Sequence, residues 1–212
     1  TFDEGFIKLI TRQTEGLALF IVELLMDLEE RGLIRRDEEG TWHQAEEVHV
    51  QILPPKVDSI IEERIRRLND KERGILTCAA VEGENFTAQV ICKIENVSEG
   101  DLVNILEDDL GKRHRLVEEQ GCEVTDGKEA YLYRFSHCTF QKRLYDDLGP
   151  IRKKILHKKI SECLEELYKE RLAEAAPRLV RHCEAVEDYE KALNYALMAA
   201  RAQRRQLAYQ TT

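Results

Sequence analysis

The chain has 212 residues, of which 42% are hydrophobic and 34% are charged, and its formal net charge is -9. This length and hydrophobic content are enough for one or two buried cores. The acidic balance argues against a general polyanion-binding surface and against an anionic membrane as the main partner. The longest apolar run, Leu17 to Met26, contains Glu23 and is shorter than the roughly 18 residues of a membrane helix, so the sequence predicts no membrane span.

The six cysteines are scattered along the chain and include neither a C-x-x-C pair nor a close cysteine–histidine ligand set. Cys138 lies beside His137 and Cys183 lies beside His182, but adjacent residues seldom form a zinc site without further ligands. We therefore expect reduced thiols, no metal site and a cytoplasmic location. The chain begins with a threonine and has no signal-peptide pattern, so we interpret it as an internal piece of a longer protein.

The N-terminal region carries two helical patterns and then a hairpin pattern. The apolar spacing from Phe6 to Arg31 predicts two helices that separate near Thr14 to Gly16, with Thr14 as a candidate N-cap of the second helix. Gly32 is typical of a C-cap. Residues 33–44 then predict two short strands joined by a glycine turn.

A linker with Pro54 and Pro55 precedes the central part of the chain. Four helical patterns follow: Val57–Leu68, a helix that begins at Asn69 or Asp70 and ends at Gly83, Phe86–Ile94, and a helix from Ser98 through Leu110. Strand patterns begin at Leu116 and at Tyr131, with a turn at Asp126 and Gly127 between them. Helices followed by a two-stranded wing predict a winged-helix domain.

The C-terminal region predicts three helices. The first runs from Ile151 to Leu172, and the others cover Ala173–Ala185 and Tyr189 to about Tyr209. The residues expected to face inward on the first helix are Ile151, Ile155, Leu156, Ile160, Cys163, Leu164 and Leu167. The last two helices alternate small and large residues as stacked helical hairpins do, and one hairpin cannot bury both of its faces, so we expect further repeats after Thr212.

His137 lies at a predicted junction between a strand and a helix. Tyr131, Tyr133 and Phe135 alternate with polar residues as in a half-buried strand, and Ser136 is a candidate N-cap for the helix that follows. Two interpretations of His137 stay open. It is either a histidine packed at an element boundary or a side chain that faces a cleft.

Two other functions find little support in the sequence. The helix that would enter a DNA major groove carries five acidic residues, Glu99, Asp101, Glu107, Asp108 and Asp109, which phosphate would repel. Consecutive carboxylates such as Asp146 and Asp147 point about 100° apart on a helix and do not converge on one substrate. The sequence also lacks the G-x-x-x-x-G-K-[ST] motif, so we expect no ATP hydrolysis by these residues alone.

A basic cluster consists of Lys142, Arg143, Arg152, Lys153, Lys154, Lys158 and Lys159. One interpretation is a solvated helix face balanced by Glu162, Glu165 and Glu166. The other is a patch that faces a phosphate or a partner.

Five segments together resemble the signal-transducing STAND NTPases of the AAA-like predicted-ATPase kind: Leu53–Leu68, Cys78–Val81 with Gly83 and Phe86, Tyr133–His137, Leu156–Ile160 and Tyr189–Tyr195. The resemblance implies the end of a helical lid with a hairpin and linker in residues 1–52, a winged-helix domain in 53–148, and a long helix with the first tetratricopeptide-like repeats in 149–212. It also implies a non-catalytic regulatory part that couples the nucleotide state of an upstream P-loop domain to binding by the repeats. The alternatives are a DNA-binding transcriptional regulator and a pure protein–protein interaction scaffold.

The resemblance further implies two sites. Thr14 and Gly16 match the lid motif, although Leu17 and Ala18 replace its asparagine and its proline, which lies against the adenine in the family. His137 looks like the winged-helix histidine that contacts the terminal phosphate of bound ADP. ATP or ADP is thus implied for the parent protein, and the implied partners are the upstream domain and a protein or small-molecule ligand of the repeats.

Overall fold

The computed structural model describes residues 2, 4–14, 16, 18–37, 40–44, 57–125 and 128–210. It is mainly helical with small antiparallel sheets, which confirms the predicted fold class. The contacts divide the chain into two compact units, residues 1–68 and 69–212. The predicted linker with Pro54 and Pro55 and the turn at Asp126 and Gly127 lie outside the described residues. The domain boundaries drawn after residues 52 and 148 stay predictions.

The described residues of the first unit form three helices and one hairpin. In chain order these are α1 (Glu4–Thr14), α2 (Ala18–Glu30), β1 (Ile34–Arg36), β2 (Trp42–Gln44) and α3 (Val57–Arg66). The two strands pair antiparallel. The core of the unit consists of Phe6, Ile10, Leu24, Leu28 and Ile34. Gly32 has a φ of 70°, and the next amide, Leu33 N, donates to Leu28 O at 2.8 Å, which confirms the predicted end of α2.

Ion pairs join α2 to α3. The sequence pattern places Arg64 on the polar side of its helix, but Arg64 is buried and pairs with buried Glu23. Half-buried Arg67 pairs with buried Asp27 and with exposed Glu30. The three acids of α2 are spaced by four and three residues, so they form one face. Periodicity cannot reveal this arrangement, because it depends on what the partner helix presents.

The second unit begins with the segment for which the sequence predicts a winged helix. Its elements are α4 (Asp70–Glu82), β3 (Asn85–Thr87), α5 (Ala88–Glu95), α6 (Glu99–Asn104) with its π-helical continuation (Ile105–Arg113), β4 (Val117–Thr125) and β5 (Lys128–Phe135). The strand order is β3-β5-β4, with β5 antiparallel to both neighbours. Gly111 permits the wide π turn, since a Cβ there would stand 2.8 Å from Leu106 O.

The helix predicted at Phe86–Ile94 begins two residues too early. Phe86 and Thr87 belong to β3, where Phe86 pairs with Tyr133 of β5, and the helix starts only at Ala88. A strand of three residues is too short to show the alternation that identifies strands in a sequence. The pairing partner, almost fifty residues away, decides the conformation.

The start of α4 is fixed by a capping box. Asn69 Oδ1 accepts from Glu72 N at 2.9 Å, and Glu72 Oε2 accepts from Asn69 N at 2.8 Å. We expect Asn69→Ala to lower the free energy of unfolding by about 1 kcal/mol, because this cap satisfies otherwise unpaired helix amides. Urea unfolding followed by circular dichroism measures the loss. Asn104→Ala is the matched control, since no side-chain cap bond is made there, and equal losses in the two variants would contradict the expectation.

Four helices complete the second unit: α7 (Cys138–Asp146), α8 (Pro150–Leu167), α9 (Leu172–Ala185) and α10 (Tyr189–Gln210). Helix α8 packs on α4 and α5, α9 packs on α8, and α10 packs on α9. The predicted α8 is too long at its C-terminal end, because the backbone turns at residues 168–170. In the part of the chain that the structure describes, no helix is both long and apolar enough to cross a membrane.

The predicted inward face of α8 is partly wrong. Ile151 and Ile155 are 76% and 51% exposed. The buried face instead runs through Leu156, Ile160 and Leu164 and includes His157. At 3.6 residues per turn, Ile151 lies about 180° and Ile155 about 140° around the helix from Ile160, so neither isoleucine belongs to the buried stripe.

Candidate functional site

His137 is the N-cap of α7, and its backbone is extended. Its Nδ1 accepts a hydrogen bond from Thr139 N at 3.2 Å and lies 2.8 Å from Thr139 Oγ1. The sequence predicts Ser136 as the cap, and this is wrong: the Ser136 hydroxyl donates to Arg115 O at 2.9 Å. The imidazole takes the capping position because Ser136 is held by the segment that precedes β4.

The cap fixes the protonation pattern of the His137 ring. A backbone N–H can only donate, so Nδ1 must be unprotonated, and the neutral ring therefore carries its hydrogen on Nε2. The side chain is half-buried. His137 thus has one nitrogen engaged in the fold and one N–H donor not used by the cap.

The two residues that match the lid motif, Thr14 and Gly16, belong to the first unit, whereas His137 belongs to the second. Thr14 is fully buried at the end of α1, where its hydroxyl donates to Ile10 O at 2.8 Å. Gly16 has a φ of 73°, and its N–H donates to Thr11 O at 3.1 Å. Leu17 lies outside the described residues, and Ala18 begins α2.

An ion pair between buried Glu82 and half-buried Arg178 connects the predicted winged helix to α9. Arg178 of α9 pairs with Glu82, the last residue of α4, and also donates to Thr87 Oγ1 of β3 at 2.6 Å. Thr87 N donates to Glu82 Oε1 at 3.0 Å. Burial raises the pKa of the Glu82 carboxyl, and the neighbouring Arg178 and Thr87 oppose that rise. The other carboxylate oxygen, Oε2, has no hydrogen-bond partner among the described residues.

A second polar connection links three helices of the junction. Tyr145 Oη of α7 lies 3.1 Å from His157 Nε2 of α8, and His157 Nδ1 lies 2.8 Å from His182 Nδ1 of α9. Both histidines are buried. Burial lowers the pKa of His157 to about 4 and that of His182 to about 2, and the nearby Arg181 adds to both shifts. The two rings are therefore neutral at pH 7, and one donates to the other.

These junction residues are not apparent as a site in the sequence. Arg178 and His182 are four residues apart, on the face of α9 that also buries Ala175 and Leu179. A charged or titratable residue within a predicted buried stripe of a helix indicates a polar contact with another element, since such groups are seldom buried without partners. The partners Glu82 and His157 come from other helices and cannot be read from spacing.

The basic cluster is divided among several partners. Arg143 pairs with Asp147 at 3.3 Å, and Lys154 pairs with Glu187 at 3.0 Å. Lys153 Nζ stands 4.2 Å from the centroid of the Tyr145 ring. Two of the three glutamates expected to balance the cluster pair elsewhere, Glu165 with Lys191 of α10 and Glu166 with Lys93 of α5. Most of the basic residues on α8 are exposed, which supports the interpretation of this half of the cluster as a solvated helix face.

No group of three or more histidine, cysteine, aspartate or glutamate side chains suited to a metal ion occurs among the described residues. No family model, curated protein or solved structure matches the chain. The functional interpretation therefore rests on the fold and on the contacts of the junction.

Proposed function

We propose that this chain is a non-catalytic relay that couples the nucleotide state of a STAND-type signalling ATPase to ligand or partner binding by helical repeats. The observation that carries the proposal is the buried Glu82–Arg178 pair with Thr87, which ties α4 and β3 of the winged helix to α9. Through this ion pair, a displacement of the winged helix would be transmitted to α9 and to the helices that pack on it. The free state of the six cysteines supports a cytoplasmic location.

His137 is the proposed input of the relay. Its Nε2–H suits an acceptor oxygen such as that of a nucleotide phosphate, which the upstream P-loop domain of the parent protein would hold. A nucleotide that this group reaches in only one arrangement shifts the population toward that arrangement. A hydrogen bond to a charged group contributes about 1.5 to 3 kcal/mol, so its loss would shift the equilibrium roughly 10- to 150-fold.

The capping role of His137 permits a sharp test. In a longer chain that includes the P-loop domain, ADP should slow hydrogen exchange across residues 131–145, and both His137→Ala and His137→Asn should abolish that slowing. Asparagine is a good N-cap, so His137→Asn keeps the cap while it removes the imidazole. His137→Ala alone should also lose about 1 kcal/mol of stability.

Retention of the ADP response in His137→Asn would overturn the proposed input, because the histidine would then serve only as a cap. An ADP response that is absent from the unmodified chain would have the same consequence.

A protein–protein scaffold is the second candidate, because α10 leaves an apolar stripe exposed. Tyr189, Leu193 and Leu197 follow one another at four-residue spacing and are each at least 47% exposed. DNA binding finds no such support, since Lys112 and Arg113 pair with Asp108 and Asp109 of their own helix. Retention of all partner binding by a chain that no longer responds to ADP would favour the scaffold.

A further inference from the structure

A cleft of about 260 Å³ opens where α4, α7, α8 and α9 meet. Its polar lining consists of Gln141, Tyr145, His157 and Arg181. The Gln141 amide is engaged with the backbone, because Nε2 donates to Ala80 O at 2.7 Å. The side chains left to face a ligand are therefore the Tyr145 hydroxyl and the Arg181 guanidinium.

The cleft has an excess of positive charge. Within the part of the chain that the structure describes, Arg181 makes no ion pair, and Lys153 contacts the Tyr145 ring rather than a carboxylate. Glu82 attracts Arg181, but this carboxylate is already paired with Arg178. In a chain with a net charge of -9, one cation in the lining of the cleft and another against the ring of Tyr145, neither of them paired with a carboxylate of its own, indicate a place for an anion.

The position of the Arg181 head group depends on a glycine. A Cβ added to Gly83 would stand 2.9 Å from both terminal guanidinium nitrogens, so the group lies directly against the end of α4. The guanidinium thus lies against uncharged backbone, and it lines the same cleft as Tyr145.

The hydrogen bonds from His182 through His157 to Tyr145 all donate in the direction of the cleft. His182 Nε2 is buried and has no partner among the described residues, so a hydrogen there would be an orphaned donor. With its hydrogen on Nδ1, His182 donates to His157 Nδ1, and His157 Nε2–H then donates to Tyr145 Oη. The Tyr145 hydroxyl hydrogen is left to donate into the cleft.

We propose that this cleft binds a small oxyanion of the phosphate class. The Arg181 guanidinium and the Tyr145 hydroxyl donate to it, and Lys153 adds charge nearby. A phosphate dianion balances both unpaired cations, whereas a monocarboxylate balances only one. Binding here does not rest on the nucleotide relay proposed above, because none of these groups is part of the His137 cap or of the Glu82–Arg178 pair.

Calorimetric titration of the 212-residue chain with inorganic phosphate, at an ionic strength held constant with sodium chloride, tests the proposal. We expect saturable binding of one phosphate per chain. Arg181→Gln and Tyr145→Phe should each weaken it at least about tenfold, since each removes a hydrogen bond to a charged ligand. Arg204→Gln, which changes an exposed arginine of α10, is the matched control and should bind as the unmodified chain does.

Circular dichroism checks that every variant is folded, and Tyr145→Phe keeps the ring that contacts Lys153 and His157. No saturable heat with phosphate, or equal affinities of Arg181→Gln and Arg204→Gln, would overturn the site. Acetate that binds as tightly as phosphate would overturn the assignment to the phosphate class.

Discussion

Arg178→Met is expected to lower the free energy of unfolding of the second unit by about 3 to 5 kcal/mol, because it leaves the Glu82 carboxylate buried without its ion pair. The Glu82 side chain is fully buried in this pair, whereas Arg178 keeps 28% of its side chain exposed, so the expected loss comes from the buried carboxylate that is left behind. Urea unfolding followed by circular dichroism gives the loss. The double variant Glu82→Leu with Arg178→Met should recover most of it, since it removes both charges.

The matched control is Arg113→Met. Arg113 pairs with Asp109 in an exposed position, and pairs of this kind contribute only about 0.2 to 1 kcal/mol. A loss in Arg178→Met as small as that in Arg113→Met would show that the buried pair does not hold the junction. A double variant less stable than Arg178→Met would indicate that the packing of these side chains, and not their charge, is what matters.

The second large effect is a fall in stability as the pH drops from about 6.5 toward 4. In the unfolded chain the two junction histidines take up protons near pH 6.5, whereas burial holds the pKa of folded His157 at about 4 and lowers that of His182 further. The unfolded state binds more protons in this window, so acid favours unfolding. Above pH 6.5 neither state is protonated and the effect vanishes. For His157 the difference corresponds to roughly 3 kcal/mol at pH 4.

Urea unfolding at half-unit pH steps measures this loss. The raised pKa of Glu82 acts in the opposite direction, because the folded state then binds the extra proton. The contribution of His157 is therefore the difference in the pH dependence of the free energy of unfolding between the unmodified chain and His157→Gln. The stability of the variant should fall less steeply with acid. Equal slopes for the two chains between pH 6.5 and 4.5 would contradict the assignment.

Local patterns predicted the parts of the fold that depend on nearby residues. The Asn69 cap, the glycine end of α2 and the hairpin of β4 and β5 all follow from short segments. Strand β3 was missed because three residues carry too little pattern without their partner. Buried Arg64 was misplaced for a related reason, since its burial depends on the pairing with Glu23 of the neighbouring helix. Ile151 was misplaced because its apolar character was taken as a sign of burial, although it lies on the side of α8 opposite Ile160.

The candidate site was predictable only in part. The alternation of Tyr131, Tyr133 and Phe135 placed His137 correctly between a strand and a helix, but not its use as the cap. The Glu82–Arg178 pair and the histidine pair join residues 96 and 25 positions apart. Contacts at such separations depend on tertiary packing, which the spacing of single helices does not encode.

The most direct test of the proposed coupling is native-state hydrogen exchange of the 212-residue chain at increasing urea concentrations. If the junction makes the winged helix and the hairpins open together, amides of β5 and of α9 should exchange with the same free energy of opening. Arg178→Met should separate them, with α9 opening at the lower free energy. Different opening free energies for β5 and α9 in the unmodified chain would contradict the relay, since the two parts would then move independently.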